Sequence, residues 1–199
     1  MESKTDRAEW SDNDLQHDVS RAEWLKDNLD GVARTTVGSL VPTVFDAYAR
    51  IAYPARNGMP QRTAPAKPVA AWHVQLMSII EVLTRNTTTP NDCWFAVWEG
   101  NTALDYIRDS APTTNIAGYD YFLLRRPVSR ATDTLGGLSP NLWWPNDQAW
   151  CVAQHFDFPC AYIGGSRDAV ADLLALTEID SSPVRVDQII TVNYDQHID

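Results

Sequence analysis

The sequence predicts an α+β domain with a mainly antiparallel sheet and helices packed on one face. Short apolar runs between turn residues, CWFAVW at 93–98 and YDYFLL at 119–124, are typical of buried strands. Two further runs, 149–155 and 160–163, flank Asp157-Phe158-Pro159, which predicts an antiparallel hairpin. We expect all four runs to lie in one sheet.

Two stretches show the spacing of amphipathic helices. Residues 70–85 carry Trp72, Leu76, Ile79 and Leu83 on one helical face. A second helix is predicted over 166–176, with Ser166 as its N-cap and Val170, Leu173 and Leu174 on its apolar face. Strands joined by hairpins, with helices before and after them, favour a sheet that is covered on one face.

A chain of 199 residues is expected to form one main core. We place the domain at 37–199 and interpret residues 1–36 as an acidic appendage with one helix near 21–30. The motif Arg-Ala-Glu-Trp occurs twice in this appendage and ends at Trp10 and Trp24. A segment anchored by these two tryptophans is one alternative for recruiting a partner.

The charge is strongly acidic and unevenly distributed. The net charge is −10, and residues 141–199 contain nine acidic and two basic residues, whereas residues 34–140 contain eight acidic and ten basic residues. An acidic field repels phosphate backbones and attracts cationic surfaces. We therefore expect a basic protein partner and no binding to nucleic acid.

The remaining composition indicates a cytoplasmic protein without a cofactor. The N-terminus lacks the pattern of a signal peptide, and no apolar run is long enough to span a membrane. Cys93, Cys151 and Cys160 all lie in apolar runs and are interpreted as reduced core residues. A metal site formed by Cys151, His155 and Cys160 is the alternative, but it lacks a fourth ligand and a Cys-x-x-Cys pair.

Four motifs together resemble a group of uncharacterised actinobacterial hypothetical proteins. They are GSLVP (38–42) leading to YARI (48–51), CWFAVWEG (93–100), SPNLWWP (139–145) with Asp147 and Trp150, and YIGGS (162–166). The resemblance covers residues 37–180, with a shorter region around 100–118, and implies one intact domain. It implies no activity, cofactor or catalytic residue.

The motif around Trp143 and Trp144 is the first candidate site. Adjacent residues of an extended segment point to opposite sides, so one ring can fill the core while the other faces a groove or a partner. The alternative is that both rings fill the core. Combined with the acidic C-terminal third, this predicts the following partner-binding residues: Trp143, Trp144, Asp147, Asp157, Asp168 and Asp172.

A second candidate is an anion site at Gly164, Gly165, Ser166 and Arg167. Two glycines before a helix N-terminus offer backbone N–H groups and a favourable dipole, although the pattern matches neither a P-loop nor a dinucleotide fingerprint. Glu99, His155 and Asp157 are a weaker candidate for a general acid/base pair. Their spacing matches no catalytic signature, so no residue is assigned a catalytic role.

We therefore expect a non-enzymatic acidic binding protein, of the kind that masks a basic partner as inhibitors and immunity proteins do. One alternative is a small-molecule or anion-binding protein, or an enzyme, with its pocket near Trp143, Trp144 and the Gly164-Gly165-Ser166 turn. Another alternative is a scaffold subunit recruited through Trp10 and Trp24.

Overall fold

The fold is built on one eight-stranded antiparallel sheet. It is seen in a computed structural model that describes residues 9–31, 35–54 and 72–190. The strands are β1 Ala47–Ala52, β2 Cys93–Trp98, β3 Thr114–Ile116, β4 Tyr119–Arg126, β5 Leu142–Pro145, β6 Trp150–Ala153, β7 Cys160–Gly165 and β8 Ser181–Val184. Their order across the sheet is β3-β4-β2-β5-β6-β7-β1-β8. The α+β class is confirmed, as is the placement of the four predicted runs in one sheet.

The hairpin of β6 and β7 is also confirmed. Val152 lies opposite Ile163 and Ala153 lies opposite Tyr162, so residues 154–159 form the connection. One edge of the sheet is formed by β8, which pairs with β1. The sequence suggests an edge strand at 184–186, but β8 ends at Val184. The proline-rich stretch 54–68, which the sequence predicts to be a loop, lies outside the described residues apart from Pro54.

Two helices cover one face of the sheet. They are α2, Trp72–Arg85, and α3, Arg167–Ala175. The apolar positions that predicted both helices face the sheet. Leu83 of α2 and Leu173 of α3 are buried in the core on this face. The indole N–H of Trp150 donates to the Leu83 carbonyl at 2.9 Å and so fixes the end of α2 to β6.

The opposite face is covered mainly by residues 19–29 and 37–45. A short helix, α1 Glu23–Asn28, buries Leu25 against this face, and Val41 is buried farther along. Trp24 packs edge-on against Trp144, with ring centroids 6.2 Å apart. The sheet therefore has a core on both faces, because β strands alternate apolar side chains to each side.

Residues 9–16, which we call the N-terminal strap, cross the face of the sheet that is covered by α2 and α3. The chain then continues to α1 on the opposite face. Trp10 is 3% exposed and packs on Phe95 at 5.3 Å. The strap then reaches β4, where the Gln16 N–H donates to the Leu123 carbonyl at 2.8 Å. Asp14 forms an ion pair with Arg126. Residues 9–30 thus pack against the sheet, which the sequence analysis assigned to the domain at 37–199.

Candidate binding site

The two tryptophans expected to mark the site are core residues. Trp143 is 0% exposed and Trp144 is 1% exposed. They do point to opposite faces, as the extended segment predicted, but each face has its own cover: Trp143 packs on Trp150 at 5.3 Å, and Trp144 packs on Trp24. Neither ring is available at the surface, so the predicted anchor at Trp143 or Trp144 is replaced by a core role.

Asp147 joins two turns. Its carboxylate accepts hydrogen bonds from the Thr87 hydroxyl at 2.7 Å and from the Thr88 hydroxyl and N–H at 2.6 and 2.7 Å. Desolvation acts to raise the pKa of Asp147, but the hydrogen bonds from Thr88 and Thr87 outweigh it and the pKa lies below its ordinary value. This carboxylate stabilises the fold, which makes Asp147 a poor residue for partner contacts.

The Gly-Gly pair expected to form an open turn lies inside a strand. Gly164 and Gly165 are the last residues of β7 and pair with β1 on one side and β6 on the other. A Cβ at Gly164 would overlap Phe45 and Val41, so close packing explains this glycine. Since their backbone groups belong to the ladders, the predicted anion site is not formed there.

The end of that motif begins α3 as predicted. The Ser166 hydroxyl accepts the Ala169 N–H at 3.1 Å, which confirms the N-cap. Arg167 is exposed in the first turn, and the carboxylate of Asp168 beside it already complements the helix dipole. This arrangement does not favour an added anion.

The predicted acidic residues do not form one patch. Asp147 and Asp157 flank opposite ends of β6, because one precedes Trp150 and the other follows Ala153. Asp168 and Asp172 are exposed on α3, which leaves the Gly165 end of β7. Of the four carboxylates, the structure brings only Asp157 next to exposed aromatic residues.

Those aromatic residues form a cluster at the end of the sheet where β2 finishes and the β6–β7 connection begins. The aromatic cluster consists of Trp98, Tyr119, His155, Phe156 and Phe158. Phe156 stacks on Trp98 at 4.5 Å and on His155 at 4.3 Å. Tyr119 packs edge-on against Phe156 at 5.7 Å. Phe156 is nonetheless 47% exposed.

Gly100 positions the indole of this cluster. A Cβ at Gly100 would overlap the Trp98 six-membered ring. The bare backbone of Gly100 thus supports one side of Trp98 while Phe156 stacks against the indole. Any larger residue at this position would displace the indole or the turn.

His155 and Asp157 interact within the same connection. The Asp157 N–H donates to His155 Nδ1 at 3.2 Å, and Asp157 Oδ2 lies 3.6 Å from that nitrogen. His155 is 7% exposed, whereas the Asp157 side chain is exposed. Within the described ranges, Asp157 has no lysine or arginine partner in an ion pair. Glu99, the third residue of the suggested acid/base group, lies 3.8 Å from Arg108 instead.

A small cleft lies beside His155, between the sheet and Leu29, Ser39 and Leu40. Its volume is about 20 Å³, which is room for about one water molecule. The lining is mainly apolar, with polar groups from Ser39, Tyr121, Asn141 and His155. The Asn141 side chain is already engaged: it accepts the backbone N–H of Trp98 at 2.8 Å and donates to the Gln154 carbonyl at 3.3 Å. This cleft is too small for a metabolite.

The three cysteines are buried and free. Desolvation raises the pKa of Cys93 to about 12 and that of Cys160 to about 11, and it also raises the pKa of Cys151. Thiols of this kind stay protonated near neutral pH and are weak nucleophiles and ligands. In the part of the chain that the structure describes, no group of three or more His, Cys, Asp or Glu side chains is placed to hold a metal ion.

Sequence reasoning missed Phe156 and Tyr119. The signal was present in His155-Phe156-Asp157, where an apolar aromatic residue stands in a polar hairpin connection. Such a residue lacks the neighbours that bury the alternating residues of a strand, so exposure is its expected state. The contact with Trp98 is visible only in the structure, because about 60 residues separate them along the chain.

Comparisons of the chain with protein-family models, curated proteins and solved structures give no match. The fold and the site therefore define this chain only as an α+β protein with an eight-stranded antiparallel sheet and an exposed aromatic cluster. None of the described helices is both long and apolar enough to cross a membrane.

Proposed function

We propose that this protein is a non-enzymatic, acidic binding protein of the cytoplasm that docks a basic partner protein on its aromatic cluster. The observation that carries the proposal is Phe156, a large apolar side chain held exposed beside the carboxylate of Asp157. This position replaces the anchor that the sequence placed at Trp143 and Trp144.

Phe156 has the properties of an interface anchor. Aromatic residues are enriched in the buried centres of protein interfaces. Its ring is held between Trp98 and His155, so little side-chain freedom remains to be lost when a partner covers it. The exposed part of the side chain suits insertion into an apolar pocket of the partner.

The charge favours a basic partner over a neutral one. The net charge of −10 attracts a cationic surface from a distance. At short range, the Asp157 carboxylate lies next to Phe156 and is free to pair with an arginine or lysine at the rim of the partner's pocket. Acidic charge, including that of Asp157, would thus attract the partner, and the adjacent Phe156 would hold it.

The other two functions that the sequence left open have less support. A pocket near Trp143 and Trp144 would need exposed rings, and both rings are buried. Recruitment through Trp10 and Trp24 would need accessible indoles, but Trp10 packs on Phe95 and Trp24 packs on Trp144. A partner would have to remove Trp10 from the core to reach it, and Trp24 is partly buried by its contact with Trp144.

Differential capture tests the proposal. The wild-type chain, Phe156→Ser and Tyr106→Ser are immobilised, and proteins of the source organism's lysate are recovered on each. Tyr106 is the matched control because it is 62% exposed and lies outside the aromatic cluster. We expect at least one basic protein to be recovered by the wild type and by Tyr106→Ser, and to be lost with Phe156→Ser.

The recovered protein is then purified and titrated against each variant. A binary complex that weakens with added salt and with Phe156→Ser supports the proposal. Recovery of the same basic proteins by all three chains, or of none by the wild type, would overturn it.

A further inference from the structure

We propose that His155 makes the aromatic cluster sensitive to pH, so that protonation of its imidazole rearranges residues 155–157 and weakens docking of the basic partner. The consequence for docking rests on the proposed function. The rearrangement itself depends only on the geometry of His155, Phe156 and Asp157, and it is testable without a partner.

The neutral imidazole has one tautomer in this geometry. Nδ1 accepts the Asp157 N–H at 3.2 Å, so the ring's own proton is on Nε2. The ring is enclosed by Phe156 at 4.3 Å, Phe158 at 5.4 Å and Tyr119 at 5.7 Å. The Asp157 backbone is therefore held against an unprotonated nitrogen.

Protonation reverses the role of Nδ1. The added proton must go to Nδ1, because Nε2 already carries one, and the Nδ1–H then becomes a donor. The Asp157 N–H loses its acceptor and faces another donor. Asp157 Oδ2, 3.6 Å away, can accept from the new N–H once it moves closer by about 0.7 Å, to hydrogen-bond distance.

Phe156 must move when the hydrogen bond between His155 Nδ1 and the Asp157 N–H breaks, because it lies between these two residues in the chain. Its ring stacks on His155, and its backbone connects His155 to the amide that is released. The exposed side chain of Asp157 gives solvent protons access to the otherwise buried imidazole.

The charges around the imidazole favour Asp157 as the responding group. Tyr119 packs against the ring from β4, and Tyr121 of the same strand lines the shared cleft; phenols are uncharged near neutral pH. Ser39 and Asn141, on the other sides of the cleft, carry no charge. Asp157 is a charged side chain whose Oδ2 lies 3.6 Å from His155 Nδ1, within ion-pair range of the imidazole.

The effect on docking follows from charge. An imidazolium paired with Asp157 neutralises the carboxylate that was free to contact the partner. It also adds a positive charge beside Phe156, which a cationic surface avoids. We expect affinity for a basic partner to fall severalfold on acidification through the range in which histidine gains its proton, about pH 8 to 5.

The test follows the histidine, phenylalanine and amide resonances of the full chain by NMR between pH 8 and 5. Four histidines are present, and His155→Gln assigns the relevant signal. We expect the Phe156 ring and the Asp157 N–H to shift with the same midpoint as the His155 imidazole. In Asp157→Asn that midpoint should move to lower pH, because the carboxylate favours the imidazolium.

Several outcomes would overturn the inference. One is an imidazole that titrates while the Phe156 ring and the Asp157 N–H remain fixed, and another is one that stays neutral down to pH 5. Persistence of the same shifts in His155→Gln would assign them to another group. If His155→Gln does not fold, Asp157→Asn alone decides, because it alters an exposed side chain. An unchanged titration midpoint of the His155 imidazole in Asp157→Asn would contradict the proposed change of hydrogen-bond partner at Nδ1. None of these results depends on a basic partner, so they separate the pH response from the proposed function.

Discussion

Trp24 packs edge-on against Trp144, with ring centroids 6.2 Å apart, on the sheet face that α2 and α3 leave open. The other Arg-Ala-Glu-Trp copy places Trp10 on the opposite face, against Phe95 at 5.3 Å. The duplicated motif thus contributes one tryptophan to each layer of the core. This makes residues 9–30 part of the packing that holds the sheet.

Removal of either tryptophan should therefore destabilise the whole protein. We expect Trp10→Ala to lower the free energy of unfolding by about 3–5 kcal/mol, the usual cost of deleting a buried tryptophan, and Trp24→Ala to cost less because it is only partly buried. Urea unfolding measures both. A Trp10→Ala loss below about 0.5 kcal/mol would show that the strap is not docked in solution.

Core packing under α3 offers a second test. Leu173 is fully buried, and we expect Leu173→Ala to cost about 2–5 kcal/mol in denaturant unfolding. Ala175→Ser, on the exposed side of the same helix, is the matched control and should change stability by less than about 0.5 kcal/mol. Equal effects of the two changes would contradict the packing of this helix.

Asp147 should contribute stability that depends on pH. Its pKa is lowered in the folded state, so the contribution is present above the ordinary aspartate pKa of about 4 and is lost as the pH falls through the lowered value. We expect Asp147→Asn to cost about 1–2 kcal/mol at pH 7, a modest value because the site is partly exposed. The cost should shrink near pH 3.

The same unfolding series on Asp172→Asn provides the control, since that carboxylate is exposed on α3 and lies outside the first turn of the helix. If Asp147→Asn lowers the free energy of unfolding by the same amount at pH 7 and pH 3, the ionised carboxylate and its hydrogen bonds to Thr87 and Thr88 are not the source of the stability. A binding test that changed Asp147 would confuse folding with binding, because this carboxylate stabilises the fold. Asp157 is the carboxylate to change instead.

Gly100→Ala should disturb the aromatic cluster without unfolding the protein. A Cβ there overlaps Trp98, so the indole must leave its position between Gly100 and Phe156. We expect altered near-UV circular dichroism and Trp98 resonances with little change in far-UV signal. Thr102→Ala, which changes an exposed side chain two residues further on, serves as the control. An unchanged near-UV spectrum would contradict the positioning role.

The sheet could be predicted because its strands are short, apolar and separated by strong turn residues. The strand at 93–98 has the predicted bounds, and opposite orientations for Trp143 and Trp144 follow from the two-residue period of a strand. That same period cannot show whether a face is covered by a distant segment. The burial of Trp144 depends on Trp24, about 120 residues away, so the sequence left it as a surface anchor.

Local chemistry also explains the other errors. Gly-Gly before a serine is compatible with a turn or with a crowded strand end, and only the position of Phe45 over Gly164 decides between them. Asp147 is predicted from the sequence to contact a partner, but its carboxylate is engaged by Thr87 and Thr88, which belong to another turn. Composition alone predicted the acidic charge, but not which carboxylate stands next to an exposed ring.

Binding kinetics of the purified basic partner test the central claim most directly. Dissociation and association rates are measured for the wild type, Phe156→Ala, Asp157→Asn and Tyr106→Ala, at low salt and at about 0.5 M salt. If Phe156 anchors the partner, Phe156→Ala raises the dissociation rate by at least about tenfold, as loss of a hot spot of about 1.4 kcal/mol or more does. Asp157→Asn and added salt should mainly slow association. Equal dissociation rates for the wild type and Phe156→Ala, or an association rate that is insensitive to salt, would contradict docking of a basic partner on the aromatic cluster.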